Sequence, residues 1–379
     1  MNFSRRHFFF GTFALPAVAA PPAAGPANVV LFLAENFPAW MLGCYGNKEV
    51  ATPNIDRLAH TGTRFVNHIA VAPTPDAARA ALLSGRLGGG TPLDAAFGRA
   101  GYATATTDAA GAAAFLNAQS AAKPFLLTVS LGGFAPPYPD AAKFLARYAG
   151  ARFDTFEKVA PSPSIAAGKE RFGDNLLPSL REAAAAATAL DDATGAILAT
   201  LSQKKLLDGT VVVFTAPTGS LIGRHGLWGG SAASDPPNFY EEVIATPMIW
   251  SFPVKVVPSG SRPEMASALD LVPTLAELTR AGIAENSTGR SYVQLLQNKP
   301  LPKKEPWRNT AFVVSGTSGV ARDDRYKLVL RNDGKGPNEL YDLKMDPRER
   351  VNQFDNLQFL TVKNELTGQL KAWRQKNQA

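Results

Sequence analysis

The chain has 379 residues, a formal charge of +7, one cysteine and four histidines. That length exceeds one typical domain and supplies a core large enough to need no covalent staples, and the single cysteine excludes a disulfide scaffold. With 45% hydrophobic and 19% charged residues, the sequence is neither disordered nor collagen-like.

The first 25 residues read as a twin-arginine export signal. Arg5-Arg6 precedes an apolar run through Phe13 and Leu15, and Ala17-Val-Ala19 supplies small residues for cleavage. The run is too short to span a bilayer and is interrupted by Pro16. Export to the periplasm or cell exterior is therefore expected. Loss of Arg5 and Arg6 lowers the formal charge to +5, and His7 leaves with them. The mature chain then has only His60, His68 and His225, a small stock of the side chain most used for metal ligation and general base work. No dense basic run argues for nucleic acid, and no later segment resembles a membrane span. Cys44 has no partner and is expected to be a buried structural thiol.

Asn28 to Ala34 is a short continuous apolar run, the pattern of a central strand covered on both faces. Thr52-Pro53 opens a helical spacing of Ile55, Leu58 and Ala59 that stops at Gly62, and the same punctuation recurs from Thr91-Pro92 to Gly101. Residues 102–106, 124–131 and 210–215 read as further buried strands, with an alanine-rich helix over 179–203. The segment 153–170 reads as a surface excursion. Strands alternating with helices predict an α/β domain with a doubly covered, mostly parallel sheet over 26–305. Its chemistry belongs at the carboxyl ends of the strands, near Glu35-Asn36 and Ala216-Pro217-Thr218. From 306 to 379 the pattern changes. Short runs at 311–314, 326–330 and 339–343, a turn at Asn332-Asp333-Gly334 and a polar helix over 357–376 predict a small antiparallel sheet with a terminal helix.

Several blocks together resemble the sulfatases of the alkaline phosphatase-like superfamily. They include Leu42-Gly-Cys-Tyr-Gly46, Thr52-Pro-Asn-Ile-Asp-Arg-Leu58, Arg79-Ala-Ala-Leu-Leu-Ser-Gly-Arg86, Leu207-Asp-Gly-Thr-Val-Val-Val-Phe-Thr215, Gly226-Leu-Trp-Gly229 and Glu339-Leu-Tyr-Asp342, in the order and spacing of that family. The resemblance implies an alkaline-phosphatase-like fold and sulfuric ester hydrolysis. It also implies a calcium ion on acidic and amide ligands, and a formylglycine nucleophile made from cysteine or serine.

The catalytic positions depart from that pattern together. The paired aspartates after the first strand are Glu35-Asn36, which leaves either a residual site for calcium or another divalent ion, or a simple turn. The nucleophile position is Pro75, which has neither thiol nor hydroxyl. Thr74, one residue upstream, is either a displaced nucleophile or a loop hydroxyl. The lysine and histidine that follow the Gly-Tyr-x-Thr strand are missing from Thr107-Asp-Ala-Ala-Gly111. The later histidine is Ala135, the second ligand pair is Pro217-Thr218, and the lysine after the tryptophan is Gly230. Arg79 could grip a sulfate through its fork of donors or pair within the protein. His225 could face the old pocket or be structural, and His60 and His68 are expected at the surface. The expectation is a catalytically degenerate member, without a firm cofactor, that binds sulfated or other anionic small molecules or glycans. The alternative is an active sulfuric or phosphoric ester hydrolase built from Thr74, Arg79, Glu35 and His225.

Overall fold

The computed structural model describes residues 26–120, 123–138, 140–156, 176–284 and 286–377. The export signal and most of the expected excursion over 153–170 lie outside them.

Strand β1 (Asn28–Glu35) forms the centre of the molecule, as its apolar run requires. Helix α1 (Pro53–His60) follows, then β2 (Thr63–Phe65), β3 (His68–Ile69), α2 (Pro75–Ser84) and α3 (Leu93–Arg99). Next come β4 (Ala103–Asp108), α4 (Ala109–Ala118), β5 (Phe125–Gly133), the 27-residue α5 (Leu177–Gln203) and β6 (Thr210–Thr215). The α/β part closes with α6 (Glu241–Ile244), β7 (Met248–Ser251), β8 (Gly260–Arg262), β9 (Ala266–Ser267), α7 (Leu271–Thr279) and α8 (Val293–Leu296). Seven strands make one sheet in the order β4-β5-β1-β6-β7-β2-β8. Its left half is parallel, and only β7 runs antiparallel to both its neighbours, β6 and β2.

Alternate side chains of β1 fill two separate cores. Val30, Phe32 and Ala34 pack with Ile55 of α1, Leu116 of α4 and Leu190, Ile197 and Leu201 of α5. Val29, Leu31 and Leu33 face Leu82 of α2, Phe97 of α3 and Leu271 and Leu275 of α7. A strand buried on both faces must be apolar throughout, which accounts for the unbroken run.

Four antiparallel strands, β10 (Ala311–Ser315), β11 (Ser318–Arg322), β12 (Tyr326–Leu330) and β13 (Glu339–Asp342), form a second sheet, with α9 (Leu360–Asn377) against it. Val313, Val320 and Val329 face Tyr240, Val243 and Ile244 of the larger sheet's domain. Ala321, Leu328, Leu330 and Leu340 face Leu366 and Leu370 of α9.

Five expectations need correction. The strand read over 102–106 is not buried: β4 is an edge strand whose exposure alternates along its length. β11 was missed, because Ser318, Gly319, Ala321 and Arg322 leave Val320 as its one strong strand former. α3 begins one residue later than the Thr91-Pro92 punctuation implies, with Pro92 before its first turn. His68 is buried rather than at the surface: it sits in β3 with its Nδ1 2.8 Å from Thr246 Oγ1, and burial pushes its imidazole down to about 3. Cys44 is half-buried, with burial and the nearby Asp56 carboxylate raising its thiol well above the usual range.

Candidate functional site

The carboxyl end of β1 places Glu35 and Asn36 beside the carboxyl end of β6, because the two strands run parallel from Asn28↔Thr210 to Leu33↔Thr215. Asn36 takes a left-handed backbone (φ 58°), which turns the chain sharply out of the sheet and is a conformation asparagine tolerates. Glu35 stays in the strand, paired with Gly133 of β5, and its carbonyl accepts the Phe134 N–H at 2.7 Å.

Both side chains already have partners. Arg79 donates to the Glu35 carboxylate in a direct ion pair. Burial pushes the Glu35 carboxyl up, the Arg79 charge and hydrogen bond pull it down, and Asp76 adds repulsion; the net shift is upward. The buried Thr218 hydroxyl donates to Asn36 Oδ1 at 2.9 Å. The following Gly219 lies so close to the 242 backbone that an added Cβ would sit 2.1 Å from the Glu242 carbonyl oxygen.

Thr74 and Pro75 form an ordinary helix start. Thr74 is the N-cap of α2 and Pro75 its first residue, where a missing N–H costs nothing. Both are exposed, and the Thr74 side chain makes no capping bond. Arg79 lies one turn further along α2, with 32% of its side chain exposed. The structure thus joins Glu35 to Arg79 and Asn36 to Thr218 but recruits Thr74 to neither pair.

His225 has a structural environment. It is fully buried in a left-handed turn (φ 56°), with Nε2 3.2 Å from Glu242 Oε2 and its ring stacked 3.6 Å from Tyr240. Arg224 donates to the other Glu242 oxygen at 3.1 Å and lies over Trp40, 3.9 Å from the ring centre. Burial raises the Glu242 carboxyl, but the His225 hydrogen bond and the His225 and Arg224 charges outweigh it and hold the group down near about 2. Sequence reading missed Glu242, since nothing in Tyr240-Glu-Glu-Val243 marks one glutamate as buried. His60 is exposed, as expected.

Asp108, in the segment that lacks the family's lysine and histidine, and Asp191 both do structural work. Asp108 caps α4, its Oδ1 accepting the Gly111 N–H at 2.8 Å. Asp191 on α5 accepts the Ile55 and Asn54 amides at 2.8 and 3.2 Å and so caps α1 from a distance. Among the described residues no three histidine, cysteine, aspartate or glutamate side chains converge on a point that could hold a metal. A hard divalent cation asks for six or more oxygens with several carboxylates. One carboxylate bound to an arginine and one amide oxygen bound to a threonine do not fit it.

Comparison with known proteins agrees with the fold. A family model described as "Sulfatase" matches residues 27–92 and 95–282, and one described as "N-sulphoglucosamine sulphohydrolase, C-terminal" matches 232–376. An N-acetylglucosamine-6-O-sulfatase of Bacteroides thetaiotaomicron is 25% identical over 197 residues, which cover 49% of this chain and 34% of that protein. The mouse Steryl-sulfatase is 41% identical over 92 residues, covering 24% of this chain and 15% of that protein. The chain therefore matches at most about a third of the length of these two relatives. A solved structure of a protein in complex with its substrate D-glucosamine-2-N,6-O-disulfate superposes with a TM-score of 0.79 at 18% identity, over 93% of this chain and 98% of that one. The phosphonate monoester hydrolase of Agrobacterium radiobacter gives 0.77 at 18% identity, over 93% and 96%. With the two family matches running through nearly all of residues 27–376, the chain belongs to the sulfatase family.

Proposed function

We propose that this protein is an exported sulfatase-family member that has lost hydrolytic chemistry and binds a sulfated sugar without turning it over. The observation that carries the reading is the mutual closure of the former ligand positions, Glu35 on Arg79 and Asn36 on Thr218, beside a proline at the nucleophile position. Without a cation or an attacking group, nothing stabilises charge on a sulfuryl oxygen or opens the ester. Arg79 keeps part of its donor fork exposed, and a sulfate oxygen can accept from it while Glu35 holds the rest. The neighbour solved with a disulfated glucosamine supports a sulfated sugar as the ligand class.

The test is an assay of the purified chain on aryl sulfate, phosphate and phosphonate esters, with calcium added or chelated. It is paired with calorimetric titration of glucosamine sulfates. Binding without turnover, weakened at least tenfold by Arg79→Ala, is the expected result. Metal-dependent turnover abolished by Thr74→Ala would instead establish the displaced-nucleophile hydrolase.

A further inference from the structure

The larger sheet ends on an edge that no other strand closes among the described residues. β4 pairs only with β5, in unbroken register from Ala103↔Phe125 to Asp108↔Ser130. The Ala103 N–H donates to the Pro124 carbonyl at 2.9 Å, so alternation directs Ala105 and Thr107 to β5 as well. Thr104 and Thr106 therefore aim both backbone groups away from the sheet, and both residues are exposed. Glu35 lies two strands away on β1, and this edge faces away from it.

The remaining edges of the two larger sheets are protected. β8, at the opposite end, has three residues and runs into Pro263. In the C-terminal sheet the Val314 N–H of β10 donates to the Val71 carbonyl at 2.9 Å. Leu340 of β13 accepts the Gln353 N–H at 2.7 Å and donates to the Asn352 side chain at 3.0 Å. β4 has six residues and no proline, lysine or bulge, the devices that keep edges apart. Its surroundings are also short of charge. From Ala100 to Ala122 the one charged residue is Asp108, with Arg99 and Lys123 on either side of the stretch, in a chain with 19% charged residues. We propose that the protein forms a two-fold dimer in which β4 pairs antiparallel with β4 of a second copy, centred on Ala105. Thr104 of one copy then exchanges both backbone bonds with Thr106 of the partner subunit, and their side chains meet in threonine pairs. Centring on Thr106 instead would aim the Thr104 N–H at the Asp108 carbonyl, which as N-cap already takes the first bond of α4. The two-fold also brings each Asp108 to the strand end that Arg99 and Lys123 flank in the other copy, so the charges are complementary. The dimer does not depend on the sulfated-sugar reading and stands if that reading fails.

The experiment is analytical ultracentrifugation of the purified full chain over a hundredfold range of concentration, where a dimer is expected. Thr106→Pro removes an outward N–H and none that β5 uses, a change an edge strand tolerates, and should weaken the dimer at least tenfold. Two double variants test the register. Thr104→Glu with Thr106→Lys places opposite charges across the two-fold and should dimerise at least as tightly as wild type. Thr104→Lys with Thr106→Lys places like charges there and should dissociate the dimer at low salt, less so at high salt. Arg79→Ala should leave the dimer unchanged. Both threonines are exposed, so the variants are expected to fold, which thermal melts check. A monomer at every concentration, a dimer untouched by Thr106→Pro, or equal loss of dimer in the two double variants would overturn the proposal.

Discussion

The Thr218 hydroxyl donates to Asn36 Oδ1 at 2.9 Å, a side-chain bridge across the carboxyl ends of β1 and β6. The resemblance to sulfatases implies a cation shared between these two strand ends. Here a neutral hydrogen bond links them, and the neighbouring carboxylate is neutralised from α2. The strand ends therefore stay together without the repulsion that paired carboxylates would bring and without an ion to offset it.

Thr218→Val should leave Asn36 with one fewer partner in a largely closed setting. A loss of about 1 kcal/mol is expected. Urea unfolding followed by circular dichroism measures it, and calcium should not restore the lost stability.

Arg79→Ala strands the Glu35 carboxyl, whose side chain is only 17% exposed. Because Arg79 lowers the Glu35 carboxyl, its removal drives that group further up. A folded carboxyl raised above its unfolded value favours folding below the unfolded value and loses that contribution as pH rises. The variant should thus be close to wild type near pH 4 and destabilised by about 1–2 kcal/mol at pH 8, a discounted value for a partly solvated pair. Denaturation midpoints at the two pH values test the sign.

His68 gives the opposite slope. Its folded imidazole is pushed down to about 3 from an ordinary 6.5, so the unfolded chain binds the extra proton between those values. Stability contributed by the neutral, buried ring is complete above about pH 6.5 and is lost as pH falls toward 3. His68→Asn should flatten this part of the acid limb in a pH series of urea melts while lowering stability at pH 7. An unchanged acid limb would show that His68 is not its source.

Pro75→Cys, even if the thiol were oxidised to the aldehyde by a maturation enzyme, should yield no aryl sulfatase activity above background. The missing elements are the acidic ligand at 36 and the ligand pair at 217 and 218, while the Glu35 carboxylate is held by Arg79, and a nucleophile alone does not supply them. Turnover in this single variant would mean that the site assembles a cation from other oxygens.

Gly219→Ala would bring a methyl within 2.1 Å of the Glu242 carbonyl oxygen. A cost of about 3 kcal/mol is expected, since backbone rather than a pliable side chain must move. A fall in melting temperature measures it.

The central strands and long helices were legible because burial on both faces or on one stripe writes a periodic pattern. β1, β6 and α5 fall within two residues of where their apolar runs placed them. What stayed hidden depends on partners far away in the chain. Glu242 reads as a surface residue until His225 and Arg224 are brought to it, and Lys327 is wholly buried because Glu241 and Glu349 meet it. His68 looked like a surface residue because its burial depends on the distant Thr246 and β9. The edge strand β4 was misjudged because alanine and threonine alternate in it without strong hydrophobic contrast. At the former catalytic positions the substitutions were readable, whereas their pairing, Glu35 with Arg79 and Asn36 with Thr218, required the fold.

The four-stranded sheet has no interior of its own. Along β12, Val329 belongs to the core shared with α6, while Leu328 and Leu330 belong to the core under α9. Removing α9 would leave half of those residues facing water, and removing the larger domain would expose the other half. The C-terminal quarter thus behaves as a shared wall rather than a detachable module, and heating should melt it together with the rest in one calorimetric peak.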